Sequence, residues 1–357
     1  MDYDSWLRTE PYSWSQSEKE YQYIAALSKL THYHQEQCEL YGKALSLLLK
    51  DVSSLERIED IPILPITLFK KFSLKSIADD DIFKIITSSG TSGQAVSRIF
   101  LDAFTAKNQQ LALYSIVKDF IGSNRLPMLI IDTPTVVKNR DTFNARGAAI
   151  LGFTMFARRK AYALTDTLEL DIHSIHNFLS SYGDKPFLIF GFTFMIWKYL
   201  YEAAAKGHYE LDLSNAYVIH GGGWKKMKDK AVSSNEYKHC LYKKFHIQHV
   251  HNYYGMAEQT GSIYMECEEG HLHASIFSDI LVRNPKDFSL CSIGEKGIIQ
   301  VLSPLATSYP GHSILTEDEG IILGIDDCPC GRKGKYFRIN GRIPKAEIRG
   351  CSDVRNY

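Results

Sequence analysis

Apolar runs of strand length that alternate with helical segments are the feature that most constrains the fold of this chain. Phe187–Phe192 is such a run, and a helical stretch, Thr193–Lys206, follows it. Met128–Asp132 and Ala216–His220 are further runs of the same kind, and Ala103–Phe120 is a further predicted helix. Uniformly apolar runs are typical of strands covered on both faces, and intervening helices are typical crossovers between parallel strands. The sequence therefore predicts an α/β fold with a largely parallel sheet.

The two ends of the chain have a different pattern of apolar residues from its middle. A helical period runs from about Glu18 to Leu49, whereas short strand-like runs separated by turns begin at about Asp279. A basic stretch from Lys333 to Arg355 follows them. We therefore expect an α/β core with an N-terminal helical segment over residues 1–278, a smaller β unit over 279–340, and a hinge with a short tail over 341–357.

A loop of small residues, Thr87–Gln94, lies between two apolar runs, Ile82–Ile86 and Ser97–Leu101. The first run predicts a buried strand, and the pair predicts a hairpin. Glycine, serine and threonine leave backbone N–H groups free to bind phosphate oxygens, although the same composition is typical of a solvated turn. The spacing matches neither a Walker A loop nor a nucleophile elbow.

Glycines follow several of the predicted strands. Gly191, Gly221–Gly223 and Gly255 all lie at or just past strand-like runs. Ligands of open α/β sheets bind beyond the carboxyl ends of the strands, so these positions predict the lining of one crevice. The aromatic residues around it, Phe190, Phe192 and Tyr253, are either ordinary core or the wall of an acyl-binding pocket.

Charge and cysteine content narrow the classes of function. Lysine plus arginine and aspartate plus glutamate number 41 each, which argues against a nucleic-acid or anionic-membrane partner. The longest mainly apolar run, Pro186–Trp197, is too short to span a bilayer, and the acidic, aromatic start is unlike a secretory signal. Seven cysteines without such a signal favour a reducing cytoplasm. The sequence does not indicate an oligomeric state.

Two cysteine clusters carry metal-ligand chemistry. Cys267 is followed by His271 and His273, and Cys328 is followed closely by Cys330. Three thiols and one imidazole can close a tetrahedral structural zinc site, with Cys267, His273, Cys328 and Cys330 as ligands and His271 as a spare. The alternative is unpaired thiols on two loops.

Four stretches together resemble the adenylate-forming enzymes, which activate carboxylic acids with ATP. Ser88–Gly93 matches the phosphate loop of that superfamily, and Gly221–Gly223 matches its adenine-facing loop. Asn252–Glu258 is similar to its Tyr-Gly-x-Thr-Glu motif, and Leu315–Asp318 is similar to its Thr-Gly-Asp motif. A closer resemblance, nearly end to end, is to the LuxE family of long-chain acyl-protein synthetases, with phenylacetate–CoA ligases as more distant relatives. It rests on Pro11–Ser13, Leu30–His34, Pro62–Lys71, Phe83–Asp102, Gly191–Phe194 and Arg349–Cys351.

The resemblance implies a large N-terminal domain of doubly wound sheets with a small β unit and a truncated C-terminal lid. It implies ATP-driven activation of a fatty acid to an acyl-adenylate, transfer to Cys351 as a thioester, and delivery to a reductase partner. The implied phosphate ligands are Ser88, Ser89, Gly90, Thr91, Ser92 and Gly93. The other implied nucleotide contacts are Gly221, Gly222, Gly223, Tyr254, Gly255, Met256, Ala257, Asp318 and Arg342. Glu258 would be catalytic by holding Mg²⁺.

The chain also departs from the pattern. Ala257 replaces a hydroxyl residue, Glu317 replaces a glycine, and the superfamily's C-terminal adenylation lysine has no counterpart. Two alternatives therefore stay open: a CoA ligase of the phenylacetate–CoA ligase type, and a non-catalytic acyl-binding subunit. Cys351 itself is either the acyl acceptor or an incidental surface thiol.

Overall fold

The predicted alternation of strands and helices is present in the computed structural model, which describes residues 3–48, 55–88, 96–137 and 145–343. The helices are α1 Tyr3–Arg8, α2 Gln16–Gln37, α3 Glu39–Leu48, α4 Leu68–Lys71, α5 Ala103–Ile121, α6 Ala145–Phe153, α7 Ile172–Tyr182, α8 Thr193–Met195, α9 Ala203–Lys206 and α10 Ser234–Phe245. A π-helical segment, Ile196–Glu202, joins α8 to α9. Within these ranges no helix combines the length and the apolarity needed to cross a bilayer.

The strands are numbered along the chain. They are β1 Leu64–Pro65, β2 Lys84–Thr87, β3 Arg98–Leu101, β4 Leu126–Ile130, β5 Ala157–Tyr162, β6 Phe187–Phe192, β7 Ala216–Gly221, β8 His249–Tyr254, β9 Tyr264–Glu266, β10 Leu272–His273, β11 Asp279–Arg283, β12 Lys296–Leu302, β13 Ser313–Ile325 and β14 Lys335–Arg342.

One 12-stranded sheet has the order β11-β12-β13-β14-β10-β9-β8-β7-β6-β4-β5, with β1 paired to β13. The strands from β5 to β8 are parallel, and the pairings from β8 to β11 are antiparallel. The α/β prediction is confirmed, and the predicted parallel arrangement describes one half of the sheet. The domain boundaries stay a prediction, because the strands after residue 279 continue the same sheet through β14 and β10.

The apolar runs that were predicted as central strands are central strands. All six residues of β6 are buried, and Thr193–Lys206 continues from it as α8, the π-helical segment and α9. The N-terminal helical period is divided into α2 and α3 at Cys38. Ser15 caps α2 in a capping box, since its backbone N–H donates to the Glu18 carboxylate at 2.8 Å.

The prediction of a buried strand at Ile82–Ile86 was wrong. The run forms most of β2, which pairs only with β3 in a separate two-stranded ribbon, and Phe83 and Ile85 are 68% and 50% exposed. An apolar run indicates a strand, but only tertiary packing decides whether a second layer covers it. The hairpin itself was predicted correctly, since Thr87 pairs with Arg98 on either side of the small-residue loop.

The first part of the basic stretch that begins at Lys333 belongs to the sheet. Residues 335–342 form β14, which lies between β13 and β10 inside the sheet. Its first residue, Lys335, is buried and places its ammonium group 3.0 Å from the carboxylate of Asp279. This partner is 56 residues away in the chain, so the local charge pattern gave no sign of it.

A second buried lysine fastens α2 to the sheet. Lys19 Nζ donates hydrogen bonds to the carbonyl oxygens of Ala274 (3.1 Å), Ser275 (3.1 Å) and Ser278 (3.2 Å), and lies 3.6 Å from Asp279. Burial disfavours the charge on Asp279, but Lys335 and Lys19 outweigh it and keep the pKa of this carboxyl low. A charge network therefore holds α2 against the sheet in addition to its apolar contacts.

Two histidines stack face to face where α2 meets the segment before β13. The rings of His34 and His312 lie 5.1 Å apart and both are buried. His34 Nδ1 lies 2.7 Å from Ser76 Oγ, and His312 Nε2 lies 2.9 Å from Thr31 Oγ1. Burial lowers the pKa of His34 to about 4 and the pKa of His312 well below its usual value.

We expect the free energy of unfolding to fall as the pH drops below about 6.5. Both folded-state pKa values lie below the unfolded value, so the unfolded chain binds more protons in this range. The stabilisation is complete above pH 6.5 and is lost toward pH 4, and His34 alone contributes on the order of 3 kcal/mol. Urea unfolding at pH 7.5, 6 and 5 measures this slope.

His34→Gln should make the slope shallower, because the amide stays polar toward Ser76 but does not titrate. His176→Gln, at an exposed position, is the matched control and should retain the wild-type profile. Equal slopes in the wild type and His34→Gln would contradict the assignment.

Candidate functional site

The carboxyl ends of β6, β7 and β8 meet at one edge of the sheet. Gly221 pairs with Tyr253, and Gly222 and Gly223 follow with φ of +78° and +63°. A Cβ on Gly222 would lie 2.3 Å from the ring of Phe192, and one on Gly221 would lie 2.7 Å from the ring of Tyr253. The glycines thus permit a close approach between backbone and aromatic rings that no larger residue allows.

Three strands converge on one carboxylate at this edge. The Tyr254 hydroxyl, from β8, donates a 2.8 Å hydrogen bond to Asp318 Oδ2 on β13. Arg342 Nε, from β14, lies 3.8 Å from the other oxygen, Oδ1. Burial raises the pKa of Asp318, while the Tyr254 hydrogen bond and Arg342 oppose the rise. These residues, which were predicted separately, therefore form one polar cluster.

Glu258 follows Tyr254 along the chain, in the 3₁₀ turn Ala257–Gln259, and is buried. Its backbone oxygen accepts a 2.9 Å hydrogen bond from the Tyr309 hydroxyl, which fixes the turn. Within the described ranges no donor reaches its carboxylate. Met256 is half-buried and packs against the core, and a Cβ on Gly255 would lie 2.9 Å from Ile263 Cγ2.

The small-residue loop is described only at its edges. Ser88 Oγ accepts a 2.9 Å hydrogen bond from the Ser97 backbone, and Ser88 N donates to Ser97 O at 3.1 Å. The remaining predicted phosphate ligands, Ser89–Gly93, lie outside the described residues, and so does Cys351. The ribbon is tied to the segment that fixes Glu258, because Ser308 Oγ donates to Phe100 O at 2.9 Å.

Two of the predicted acyl-binding aromatics, Phe190 and Tyr253, pack around Phe153, whereas Phe192 belongs to a separate apolar cluster and packs against Phe194. Phe190 is fully buried, and its ring stacks on Phe153 with centroids 4.2 Å apart, while Tyr253 lies 5.2 Å from the same Phe153. A Cβ on Gly191 would lie 3.0 Å from Ile131 Cβ. Phe153 and Tyr253 thus cover part of the buried Phe190, and the acyl-binding role stays a prediction.

The four predicted zinc ligands lie together near the start of β14, whereas Arg342 ends that strand. The ligand atoms of Cys267, His273, Cys328 and Cys330 are all within 4.8 Å of one another. Cys267 Sγ lies 3.9 Å from Cys328 Sγ, and Cys330 Sγ lies 3.4 Å from His273 Nε2. Burial raises the pKa of the Cys267 and Cys328 thiols.

Three polar side chains near the carboxyl ends of β4 and β7 were not predicted as site residues from the sequence: Asp132, Arg146 and His220. Asp132 follows β4 and is buried, and Arg146 Nε from α6 lies 2.8 Å from its Oδ2. His220, on β7, places Nδ1 2.9 Å from Thr193 Oγ1. The aspartate that ends an apolar strand and the histidine before Gly221 were visible signals, whereas Arg146 lies in no recognisable motif.

Residues 2–357 match the profile of a family described as "Acyl-protein synthetase, LuxE". The chain is similar to a long-chain-fatty-acid–luciferin-component ligase of Vibrio harveyi, with 23% identity over 83% of this chain and 78% of the relative. It is also similar to a protein of the same name from Aliivibrio fischeri, with 20% identity over 96% of this chain and 90% of the relative.

Solved structures with the same fold are adenylate-forming ligases. A 2-hydroxyisobutyryl-CoA ligase in an open conformation, in complex with 2-HIB-AMP and CoA, superposes with a TM-score of 0.70 at 16% identity, covering 94% of this chain and 77% of the other. ATP-bound MatB from Rhodopseudomonas palustris superposes with a TM-score of 0.50 at 17% identity, over 75% of this chain and 49% of the other. The adenylate-forming fold expected from the sequence is confirmed.

We expect Gly222→Ala to destabilise the protein more than Gly223→Ala. Both residues have positive φ, which costs a non-glycine residue about 1–3 kcal/mol, but only Gly222 also lacks room for a Cβ. The contact with Phe192 should add roughly 1–3 kcal/mol. Urea unfolding of both variants measures the difference.

Gly223→Ala is the matched control, because a Cβ there meets no atom within 4 Å. Phe192→Leu combined with Gly222→Ala should recover part of the extra loss. Equal destabilisation by the two alanines would show that the close approach to Phe192 carries no energetic weight.

Proposed function

Because the chain belongs to the LuxE family of acyl-protein synthetases and is a ligase, we propose that it activates a long-chain fatty acid with ATP and transfers the acyl group to its own Cys351. The luciferin-component ligases similar to it are named for long-chain fatty acids, and the CoA ligase of the same fold was solved with an acyl-AMP. The name of these relatives supports a long-chain fatty acid as the substrate, and the AMP adduct in the CoA ligase structure supports an acyl-adenylate as the intermediate.

The single observation that carries this proposal is the polar cluster of Tyr254, Asp318 and Arg342. Its carboxylate is anchored from three strands, at the same edge as the glycines Gly221–Gly223. A fixed carboxylate accepts hydrogen bonds from a pair of ribose hydroxyls, and the open side of Gly223, where a Cβ would meet no atom within 4 Å, leaves room for a flat base. The arrangement suits the nucleoside half of ATP.

The proposed reaction has two steps. In the first, a carboxylate oxygen of the fatty acid attacks the α-phosphorus of ATP. The bond from the α-phosphorus to the bridging oxygen breaks and pyrophosphate leaves, so acyl-AMP is formed. In the second, the Cys351 thiolate attacks the acyl carbon, the bond from that carbon to the AMP oxygen breaks, and AMP leaves with the electron pair. The product is an acyl thioester on the enzyme.

Charge on the phosphates is the main barrier to the first step, so the site needs cations and N–H donors. Arg342 is 73% exposed and can turn from Asp318 toward a bound phosphate or ribose. Glu258 is a fitting Mg²⁺ ligand, because its carboxylate is buried without a donor from the described residues and hard cations prefer carboxylate oxygen. When bound there, Mg²⁺ would offset charge on the phosphates.

The proposed acceptor, Cys351, is flanked by Arg349 and Arg355, whose charges favour a thiolate, while Asp353 opposes it. A thioester keeps the acyl group activated for a following reaction. We propose that a reductase subunit or another acyl acceptor takes it from the enzyme.

We expect fatty-acid-dependent exchange of labelled pyrophosphate into ATP, and we expect Asp318→Asn to lower kcat/KM for ATP roughly 10- to 100-fold. Hydrogen bonds to a charged group contribute about 1.5–3 kcal/mol, which sets this range. Tyr254→Phe should lose less, about 5-fold, because one neutral donor is removed.

Asp287→Asn is the matched control at an exposed position in the connection between β11 and β12, and it should keep wild-type exchange. Exchange that is absent at every acid length would refute adenylation and favour the non-catalytic acyl-binding alternative.

We expect Cys351→Ser to abolish labelling of the protein by radiolabelled fatty acid plus ATP while exchange continues. Cys291→Ser, a cysteine on the far β11–β12 connection, should label like the wild type. Undiminished, hydroxylamine-sensitive labelling of Cys351→Ser would exclude Cys351 as the acceptor. Formation of acyl-CoA on addition of CoA, without protein labelling, would identify a CoA ligase instead.

A further inference from the structure

The Cys/His cluster lies outside the proposed nucleotide site and has a geometry of its own. We propose that Cys267, His273, Cys328 and Cys330 bind one zinc ion, and that this ion fixes the pairing of β10 with β14. The proposal does not depend on the proposed ligase reaction.

The distances suit a tetrahedral metal site. With Zn–S near 2.3 Å and Zn–N near 2.05 Å, ideal tetrahedral angles place two sulfurs about 3.8 Å apart and a sulfur and a nitrogen about 3.6 Å apart. The Cys267–Cys328 sulfur pair is at 3.9 Å and the Cys330–His273 pair is at 3.4 Å. The sulfur separation is far longer than the ~2.05 Å of a disulfide.

The backbone around the ligands forms two tight turns. Cys267 O accepts from Gly270 N at 3.0 Å, and Cys328 O accepts from Gly331 N at 3.0 Å. Both glycines have positive φ, +79° and +83°. The two turns face each other at the 3.9 Å separation of Cys267 Sγ and Cys328 Sγ, as a closed site with two chain segments requires.

His271 is not a ligand in this arrangement but a neighbour of one. Its Nδ1 lies 3.3 Å from Cys328 Sγ, and its ring stacks on Tyr336 with centroids 4.8 Å apart. An N–H that donates to a metal-bound thiolate is a common outer partner of such sites. Four protein ligands close the coordination sphere, so the site is structural rather than catalytic.

The location of the site explains what the metal would do. Cys267 follows β9, His273 ends β10, and both other ligands lie between β13 and β14. The pairing of β10 with β14 consists of Leu272 with Phe337 and His273 with Tyr336. A metal bound to both sides of this short pairing would prevent it from slipping or separating.

The N-terminal segment rests on the same turns. Lys333 N donates to Tyr12 O at 3.1 Å, and the Tyr12 ring lies edge-on to His273 with centroids 6.1 Å apart. Arg332 stands between Asp119 and Glu268, with 2.8 Å contacts to each. Loss of the metal should therefore loosen this surface as well as the strand pairing.

The test begins with metal analysis of the full chain, expressed with ample zinc and purified without chelator. We expect about one zinc per chain in the wild type and in His271→Ala, and less than about a tenth of that in Cys328→Ser and His273→Ala. Cys291→Ser, outside the cluster, is the matched control and should retain the ion. A wild type that is folded and holds less than about 0.1 zinc per chain would overturn the proposal.

Two further measurements do not depend on the variants being well folded. Cobalt exchanged into the wild type should give the intense visible bands of a tetrahedral site and a thiolate-to-cobalt charge-transfer band in the near ultraviolet. Removal of zinc by a strong chelator should lower the melting temperature by several degrees, and added zinc should restore it. Weak cobalt bands typical of octahedral coordination, or an unchanged melting temperature after complete metal removal, would refute the proposed site or its structural role.

Discussion

The pairing of β10 with β14 is the joint on which the arrangement of the chain depends. It connects the parallel strands, through β8 and β9, to the antiparallel strands β11 to β14, and it consists of two residue pairs. So short a ladder provides little stability by itself. Side chains reinforce it: Phe337 is fully buried and packs edge-on against Tyr264, with centroids 5.1 Å apart. The Lys19–Asp279–Lys335 network adds charge pairing beside the first residue of β14.

That network is specific rather than simply stabilising. Burying two ammonium groups with a carboxylate costs desolvation energy, which is offset only where geometry and hydrogen bonds are good. Lys19 meets this condition through three carbonyl oxygens, and Lys335 through its direct 3.0 Å contact with Asp279. Any shift of β14 along β13 would leave a buried charge without its partner. The charges therefore add to the burial of the apolar face in selecting one register for β14.

What the sequence could predict follows from which interactions are local. Phe187–Phe192 was predicted correctly, because a strand covered on both faces carries its burial in its own composition. Ile82–Ile86 was predicted buried and is exposed, since nothing within the run indicates whether a second layer covers it. Lys335 was recognised only as part of a basic stretch, because its partner, Asp279, lies far away in the chain. Long-range pairing is thus where the predictions failed.

In the candidate site, too, local motifs were predictable and long-range contacts were not. The individual residues Tyr254 and Asp318 were predicted from motifs, but the hydrogen bond between them was not, because it crosses the joint between the two halves of the sheet. Its cross-sheet character links the proposed nucleotide site to the integrity of that joint. Asp318 can present its carboxylate in a fixed direction only while β8, β13 and β14 keep their relative positions. A displacement of about 1 Å at such a carboxylate is enough to weaken its directed hydrogen bonds. The residues that hold β14 in register therefore help to fix the position of the Asp318 carboxylate, although they lie away from it.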